Sequence, residues 1–372
     1  MMVKRVLITG GAGFVGSHTA DALLKAGHEV RIFDNLTPQV HHGKEPYIPD
    51  GAEFVFGDVR DPSKLSSVVR DADVIYHFAA AVGVGQSMYQ ISEYTSTNNL
   101  GTANLLQAIL DTRATPEKIV VASSMSIYGE GKYLCRECGE MAPQPRPLEQ
   151  LKSKNWETLC PTCGESLMPV PTREDKQLQC TSIYALSKKD QEEMTLLFAR
   201  TYQIPVVALR YFNIYGTRQS LSNPYTGVCA IFASRLMNRK APVIFEDGQQ
   251  MRDFVSVHDI VQCCLLAMER SGGDGMALNV GSGEPISIRE VAAALADALE
   301  NDAPPALTEK YRAGDIRHCF ADISAAKKHL GYQPRVRFAE GVKDLVSWLR
   351  FQQPQDRAAE AVAQLSNFGL TA

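Results

Sequence analysis

Tyr184 and Lys188 lie four residues apart in the stretch Tyr184-Ala185-Leu186-Ser187-Lys188, which opens a helical pattern running to about Tyr202. At that spacing both side chains project from one helix face. A nearby ammonium favours the phenolate and draws a tyrosine down from its reference pKa of about 10, into the range of a general base. The chemistry implied is removal of a proton from a hydroxyl group. Tyr-x-x-x-Lys alone occurs by chance in many helices, as a surface aromatic beside a solvated lysine. Its weight here comes from two companions: a serine-rich strand end, Ser123-Ser124-Met125-Ser126-Ile127-Tyr128-Gly129, and a glycine-rich loop near the start of the chain.

That loop lies within Val3 to Gly16, VKRVLITGGAGFVG. The apolar run Val6-Leu7-Ile8 suits a buried parallel strand. Thr9 ends it, and Gly10, Gly13 and Gly16 lead into a helical pattern with Phe14, Val15, Ala20, Leu23 and Leu24 inward. The first glycine turns the backbone, the second admits a pyrophosphate, and the third lets the helix pack on the sheet, while free N–H groups at the helix start face phosphate. A second strand, Glu29 to Asp34, ends in an acid 18 residues beyond Gly16. A carboxylate there accepts hydrogen bonds from an adenosine ribose and repels a 2′-phosphate, so NAD is expected and not NADP.

The elements that must position these groups follow in order. Phe54 to Phe56 reads as a third strand ending in Gly57-Asp58-Val59, Val74 to Phe78 as a fourth, and Lys118 to Ser123 as a fifth. Ala79 to Gly85 is small enough for backbone to lie against a cofactor or sugar. Asn98 to Leu110 reads as an amphipathic helix. The alternation predicts an α/β fold with a right-handed, doubly wound parallel sheet and ligands at the carboxyl ends of its strands. Pro205 to Arg210 returns as a strand, Tyr225 to Arg239 reads as a helix, and Pro242 to Phe245 as an edge segment. A further helix begins near Ser256, with Ile260, Cys264, Leu265 and Met268 inward. Cys263 and Cys264 read as core filler, and His258-Asp259 as part of a helix-start cap. His41 and His42 fall in a loop, Thr37 to Asp50, and read as solvated; the Gln- and Ala-rich stretch after Phe351 carries no legible chemistry.

With 372 residues, 45% of them hydrophobic, the chain is long enough for two domains or one large unit with a lobe. A net charge of −4 and a pI near 6.1 argue against a broad nucleic-acid or anionic-membrane surface. No apolar run has the length of a membrane span, and the start, MMVKRVLITG, enters the first strand at once, so a cytoplasmic location is expected. Of nine cysteines, four form two CxxC pairs and five are scattered, a distribution that suggests reduced thiols and a metal.

Those pairs are Cys135-Arg-Glu-Cys138-Gly and Cys160-Pro-Thr-Cys163-Gly, between Ser124 and Tyr184. Each has the form of a zinc knuckle, and 21 residues between them is a zinc-ribbon spacing. Four thiolates close a tetrahedral site and leave no position for substrate, so a structural zinc is expected. Zinc ribbons also bind nucleic acid, which raises the alternative of an NAD-sensing nucleic-acid or protein-binding module. Between Glu130 and Lys176, however, acids and bases nearly balance and few aromatics are available to stack bases. A lid or partner surface beside the active site fits the insertion better.

With these stretches in place, the chain resembles the extended short-chain dehydrogenase/reductases, and among them the nucleotide-sugar epimerases and dehydratases. The likeness covers roughly residues 3 to 350 through TGGAGFVG (9–16), Asp34, GDV (57–59), HFAA (77–80), SSMSIYG (123–129), YALSK (184–188), LRYFNIYG (209–216), MRDFVSVHD (251–259) and RAGDIRH (312–318). It implies a Rossmann-type NAD-binding domain over 1–214 carrying the zinc-ribbon insertion at 131–178. It further implies a smaller nucleotide-sugar lobe mainly over 215–350, with 251–270 returning to the first domain, and a tail over 351–372. Tightly held NAD would meet Gly10, Gly13, Phe14, Val15, Gly16, Asp34, Asn35, Asp58 (at the adenine), Val59, Ala79, Ala80 and Asn98, together with Tyr184 and Lys188. Ser124, Tyr184 and Lys188 would form the catalytic trio. A nucleotide-diphosphate sugar would meet Val84, Ser124, Ser126, Asn213, Arg252, Arg312 and Asp315, with guanidinium forks on phosphate and Arg317 in the same polar cluster.

Departures from the family pattern narrow the reaction. The 4,6-dehydratases carry an Asp-Glu pair at the two positions after the catalytic hydroxyl, the decarboxylases a Glu at the second, and the 3,5-epimerase of GDP-mannose a cysteine in this stretch; here those positions are Met125 and Ser126. What remains resembles the Ser-Tyr-Lys equipment of a C4 epimerase. Val82 stands where UDP-galactose 4-epimerases often have a lysine, whereas GVGQSMY (83–89) and RQSLSNPYTGV (218–228) look most like the dTDP-L-rhamnose 4-epimerases, which form dTDP-6-deoxy-L-talose. A UDP-sugar 4-epimerase, on glucose/galactose or glucuronate, and a 4-keto sugar-nucleotide reductase are the other enzyme readings. The resemblance also implies a homodimer through the helices around 98–111 and 184–202.

Overall fold

The structure is a computed structural model that describes residues 2–41, 45–301, 303–312 and 314–371; His42 lies outside them. Its centre is a seven-stranded, all-parallel sheet made of β1 (Arg5–Thr9), β2 (Glu29–Asp34), β3 (Glu53–Phe56), β4 (Val74–His77), β5 (Lys118–Ser124), β6 (Val206–Tyr211) and β7 (Ala277–Val280). The spatial order is β7-β6-β5-β4-β1-β2-β3, so the direction of winding reverses between β1 and β4. Ligands of such sheets lie at the carboxyl ends of the strands, at that reversal.

Both faces of the sheet are covered, which is why its strands read as nearly continuous apolar runs. Alternation within β1 divides the core. Val6 and Ile8 face a cluster with Ala20 and Leu23 of α1 (Phe14–Lys25), whereas Leu7 faces one with Leu105 and Ile109 of α2 (Gly101–Thr112) and Phe198 of α3 (Ile183–Tyr202). Ile260, Cys263, Cys264 and Ala267 of α4 (Val257–Glu269) join the first cluster, and both cysteines are fully buried free thiols that fill core space. Buried His77, held neutral with its pKa pushed down to about 3 by burial, bonds Thr9 Oγ1 (2.8 Å) and Thr102 Oγ1 (2.9 Å) and so pins β1, β4 and α2 together. Among the described residues no helix is long and apolar enough to cross a membrane.

Several expectations need correcting. The helix expected from Asn98 begins earlier: Ile91–Tyr94 runs through a π-helical turn, Thr95–Leu100, into α2. Such turns collect at functional sites, and this one aims Asn98 inward. The return to the first domain is wider than 251–270. Strand β7 completes the main sheet, and Ala326 and Leu330 of helix Ser324–Leu330 pack in its core. The smaller lobe packs Phe232, Leu236, Val291, Leu295, Leu345 and Leu349 around Phe254. Its sheet is built on Met251–Ser256, which pairs with Asn213–Tyr215, Pro285–Ser287 and His318–Cys319. Ser256 caps α4 by accepting from the His258 N–H, while buried Asp259 holds the Arg335 and Val336 N–H groups (2.8 and 3.0 Å). Finally, the tail is not featureless: α5 (Ala358–Asn367) buries Ala361 and Leu365.

The insertion forms a three-stranded antiparallel sheet, Gly139–Met141, Lys132–Cys135 and Met168–Val170 in that order. Its own core is small: Tyr133, Cys135, Cys160 and Leu167, with Met141 against them.

Candidate active site

A cavity of about 1620 Å³ runs along the carboxyl ends of the strands and into the smaller lobe. The β1–α1 loop forms one end. Gly10 has φ +71°, and a Cβ there would fall 2.6 Å from the Ala79 nitrogen; at Gly16 a Cβ would fall 2.4 Å from the Gly10 carbonyl oxygen. Loop, strand end and helix are thus as close as backbone permits. A Cβ at Gly13 would meet only the Gly10 oxygen, at 3.2 Å, leaving that peptide open to the cavity. At the end of β2, buried Asp34 accepts from the Ala12 N–H (3.1 Å) and the Leu36 N–H (2.9 Å). These residues fit a dinucleotide with free ribose hydroxyls: a glycine cradle, a helix N-terminus and a fixed carboxylate, in one wall with Phe14, Val15, Asn35, Val59, Ala79 and Ala80. Asp34→Ser should admit a 2′-phosphate. Titration of the cofactor-stripped protein should then show the preference for NAD over NADP reduced at least tenfold.

Two expected cofactor residues stand behind this wall. Asp58 is clamped by Arg60 (2.7 and 2.9 Å), which holds its carboxyl down at about 2, and it also accepts from Asn35 Nδ2 (2.9 Å). Asn98, fully buried, accepts from the Ala81 N–H (2.8 Å) and donates to the Ala81 carbonyl (3.1 Å) and to Ser187 Oγ (2.9 Å). It ties the loop after β4 to α3 and lines no part of the cavity. His41, expected in solvent, is half-buried, with Nε2 4.0 Å from Asp34 Oδ1, and burial lowers its pKa.

The catalytic trio converges at the middle of the cavity. Ser124 ends β5, and its Oγ accepts from the Ser126 N–H (3.2 Å) and the Ser126 hydroxyl (2.9 Å). Tyr184 opens α3, whose cap, Ser182, accepts from the Ala185 N–H (3.0 Å); the Tyr184 N–H donates to Ser87 Oγ (3.0 Å). Two turns along, Glu192 accepts from Ser123 Oγ (2.6 Å) and pairs with Arg210 (2.6 Å), locking α3 onto β5 and β6. Burial raises the Tyr184 pKa, and its hydrogen bond with Ser124 opposes that rise. Lys188 donates to the Ala122 carbonyl (2.9 Å), and burial brings its pKa down to about 7. The expected depression of Tyr184 by Lys188 is therefore not built into the protein alone, because burial raises the phenol and the lysine, its own pKa lowered by burial, donates to a carbonyl. Met125 packs in the core and Ser126 turns to Ser124, so neither position offers an acid or base.

Toward the smaller lobe, Val84, Asn213, Arg252, Arg312 and Asp315 line the same cavity. Asn213 has a buried Oδ1 with no partner among the described residues. Arg312 pairs with Asp315 (2.8 Å) and lies over the Phe245 ring, 4.7 Å from its centre. Arg252 donates to the carbonyls of Ile316 (2.6 Å), Met251 and Arg317 (both 2.8 Å). Arg317 itself departs from expectation, since its side chain is fully buried and points away from the cavity, onto Glu157, Glu246 and Asp247.

The feature missed entirely is α5. Ala358, Ala361, Val362 and Leu365 line the cavity; Leu365 covers Gly85, Gln364 accepts from Tyr89 (3.0 Å) and Tyr225, and Phe368 stacks on Tyr89 at 4.7 Å. Nothing local in that sequence marks it, because its partners lie more than 130 residues away. A chain ending at Arg357 should keep its NAD and lose roughly tenfold in substrate affinity, measured as KM.

In the insertion, the sulfurs of Cys135, Cys138, Cys160 and Cys163 all lie within 4.8 Å of one another. Zinc–sulfur bonds of about 2.3 Å in a tetrahedron place sulfurs about 3.8 Å apart, so the cluster fits that ion with little movement. Gly139 and Gly164, with φ of +82° and +80°, make the turn of each knuckle. The Cys163 and Thr162 N–H groups draw the Cys160 thiol down to about 6.

Residues 6–150 match the NAD dependent epimerase/dehydratase family and residues 164–345 match GDP-mannose 4,6 dehydratase. The dTDP-L-rhamnose 4-epimerase of Burkholderia thailandensis is 31% identical, over 93% of this chain and 95% of that protein. A putative UDP-glucose 4-epimerase of Methanocaldococcus jannaschii is 32% identical over 93% and 98%. The structure of Thermus thermophilus UDP-glucose 4-epimerase in complex with NAD superposes with a TM-score of 0.74 at 30% identity, covering 94% of this chain and all of that one.

Proposed function

Because this chain belongs to the NAD-dependent epimerase/dehydratase family, we propose that it is a nucleotide-sugar 4-epimerase acting through a transient 4-keto sugar, with dTDP-L-rhamnose and dTDP-6-deoxy-L-talose as its substrate pair. One observation carries the reading: Ser124, Tyr184 and Lys188 share a cavity with the dinucleotide cradle, and neither 125 nor 126 supplies the acid that elimination or decarboxylation needs. Tyr184 removes the proton from the sugar 4-hydroxyl, and Ser124 bonds the same oxygen and relays that proton. Lys188, at the same cavity wall, would hold the nicotinamide ribose. NAD, when bound, supplies the hydride acceptor at C4, the donor for the return, and a positive charge that favours the Tyr184 phenolate. Arg252, Arg312 and Asn213 hold the diphosphate while the sugar turns to present its other face, so the anchors grip phosphate and the sugar stays loosely held.

The apolar wall of Val84, Ala361 and Leu365 suits a C6 methyl. The Methanocaldococcus and Thermus relatives favour a second reading, a UDP-glucose/galactose 4-epimerase. The four cysteines hold a structural zinc. Leu186 and Leu197, three turns apart on one side of α3 and both exposed, would contribute to a homodimer face.

Proton NMR of the purified protein, without added cofactor, against dTDP-L-rhamnose, UDP-glucose, UDP-glucuronate and GDP-mannose tests the reading. Interconversion of the rhamnose pair to a fixed equilibrium is the expected result. Turnover only with added NADPH and a 4-keto sugar would make the protein a reductase instead.

A further inference from the structure

The insertion meets the smaller lobe through an ionic network in which Arg146, Arg317, Glu130 and Glu246 are buried, while Glu157 and Asp247 reach solvent. Arg146, its side chain 2% exposed, donates to both oxygens of Glu246 (2.8 and 3.1 Å), to the Trp156 carbonyl (2.8 Å) and to the Asp315 carbonyl (3.3 Å). Arg317, fully buried, is held by Glu157 (2.5 Å), Asp247 (2.7 Å) and Glu246 (2.9 Å). Glu130, at the root of the insertion, accepts from the Arg317 N–H (2.7 Å) and the His318 N–H (3.3 Å), and Glu157 takes His318 Nε2 (3.1 Å). The side chains of this network, Glu130, Arg146, Glu157, Glu246, Asp247, Arg317 and His318, line no part of the cavity, whereas Asp315 does. Removing such charges from water is costly, and a network of this kind is often no more stable than an apolar core of the same shape, so stability alone is a poor account of it.

Its geometry offers a better one. Arg146, Glu130, Glu157, Glu246 and Asp247 all bond the segment Asp315 to His318, and the other side of that segment faces the cavity. There the Ile316 and Arg317 carbonyls receive the Arg252 guanidinium (2.6 and 2.8 Å), and Asp315 receives Arg312. Resting on the reading that Arg252 and Arg312 hold the diphosphate, we infer that Arg146 and Glu157 of the insertion are positioning residues, which fix the 315–318 backbone and through it aim Arg252 at the substrate's phosphates. The insertion thereby sets nucleotide-sugar affinity without touching the sugar or NAD. Diphosphate anchoring is made equally in ground and transition states, so its loss falls on KM and spares kcat.

The test uses the full-length, metal-replete protein with Glu157→Gln, Arg146→Lys, Arg252→Ala and the Arg146→Lys/Arg252→Ala double variant. Calorimetry reads binding of dTDP and UDP, and kinetics reads KM and kcat on the pair identified by NMR. Glu157→Gln and Arg146→Lys should each weaken nucleoside diphosphate binding and raise KM about tenfold, with kcat within about threefold and NAD content unchanged. Because both act through Arg252, Arg146→Lys should add nothing in the Arg252→Ala background. Unchanged affinity in Glu157→Gln and Arg146→Lys, beside a clear loss in Arg252→Ala, overturns the inference and leaves the diphosphate site standing. Additive losses, or loss of NAD in parallel, also overturn it. Normal binding by Arg252→Ala removes the diphosphate reading and the inference with it. Should Arg146→Lys fail to fold, Glu157→Gln, whose side chain is 41% exposed and leaves Arg317 two other acids, decides alone.

Discussion

Tyr184→Phe should reduce turnover at least a thousandfold while the purified protein keeps its full complement of NAD. A positioned acid–base contributes about 10²–10⁴ in rate, and here one oxygen both takes the 4-hydroxyl proton and returns it. The substitution is close to silent in structure. The Tyr184 N–H still reaches Ser87, the α3 cap at Ser182 is untouched, and the ring keeps its edge contact with Tyr94, 6.3 Å between centres. Nothing in the glycine cradle or at Asp34 depends on the phenol. Loss of activity with NAD retained, seen by absorbance of the denatured supernatant and by NMR of the sugar pair, isolates the chemical step from cofactor binding. Residual turnover above about one hundredth would mean that another group moves the proton, and the assignment of the trio would fall. Ser124→Ala should cost less, because Ser126 has a hydroxyl 2.9 Å from the lost oxygen and can turn into part of its place.

The sheet and the trio were legible because their signals are local. β2 runs over the six residues expected, and α3 starts one residue before Tyr184, since strand ends, glycines and a serine cap announce themselves within a few positions. Asp34, Ser124 and Tyr184 all follow or face strand ends, where the topology of a parallel sheet puts its ligands. What escaped was decided at long range. Arg317 sits in a motif that suggests a phosphate cluster, but whether a guanidinium turns to the cavity or away depends on Glu157 and Glu246, 160 and 71 residues distant. Asn98 was placed at the cofactor, yet its amide is consumed by Ala81 and Ser187. Helix α5 has an alanine-rich pattern compatible with any weakly amphipathic surface helix, and distant residues such as Gly85, Tyr89 and Tyr225 give it a place. The influence of Lys188 on Tyr184 was inferred from spacing, and spacing does not show that the amine is committed to the Ala122 carbonyl or that burial lowers its pKa to about 7.

Removing the metal should unfold the insertion and abolish substrate binding before NAD binding is touched. The hydrophobic cluster of the insertion has four buried side chains, two of them cysteines, and the insertion's sheet has strands of three or four residues. So small a core cannot offset the conformational entropy of nearly fifty residues, roughly 1–2 kcal/mol each for backbone alone. A structural zinc contributes about 10–16 kcal/mol of binding energy that is at the same time folding energy. Without the metal, Gly139 and Gly164 lose the reason for their left-handed turns. The main sheet has its own core and no contact in that cluster, so it should survive. Trp156 lies inside the insertion and Trp348 in the smaller lobe, so a fluorescence change present in Trp348→Phe and missing in Trp156→Phe marks local and not global unfolding. Mass spectrometry under native conditions should find one zinc per chain, lost in Cys138→Ser/Cys163→Ser. An insertion that stays folded and substrate-competent after the metal is stripped would show that the ionic network, and not the ion, holds it in place.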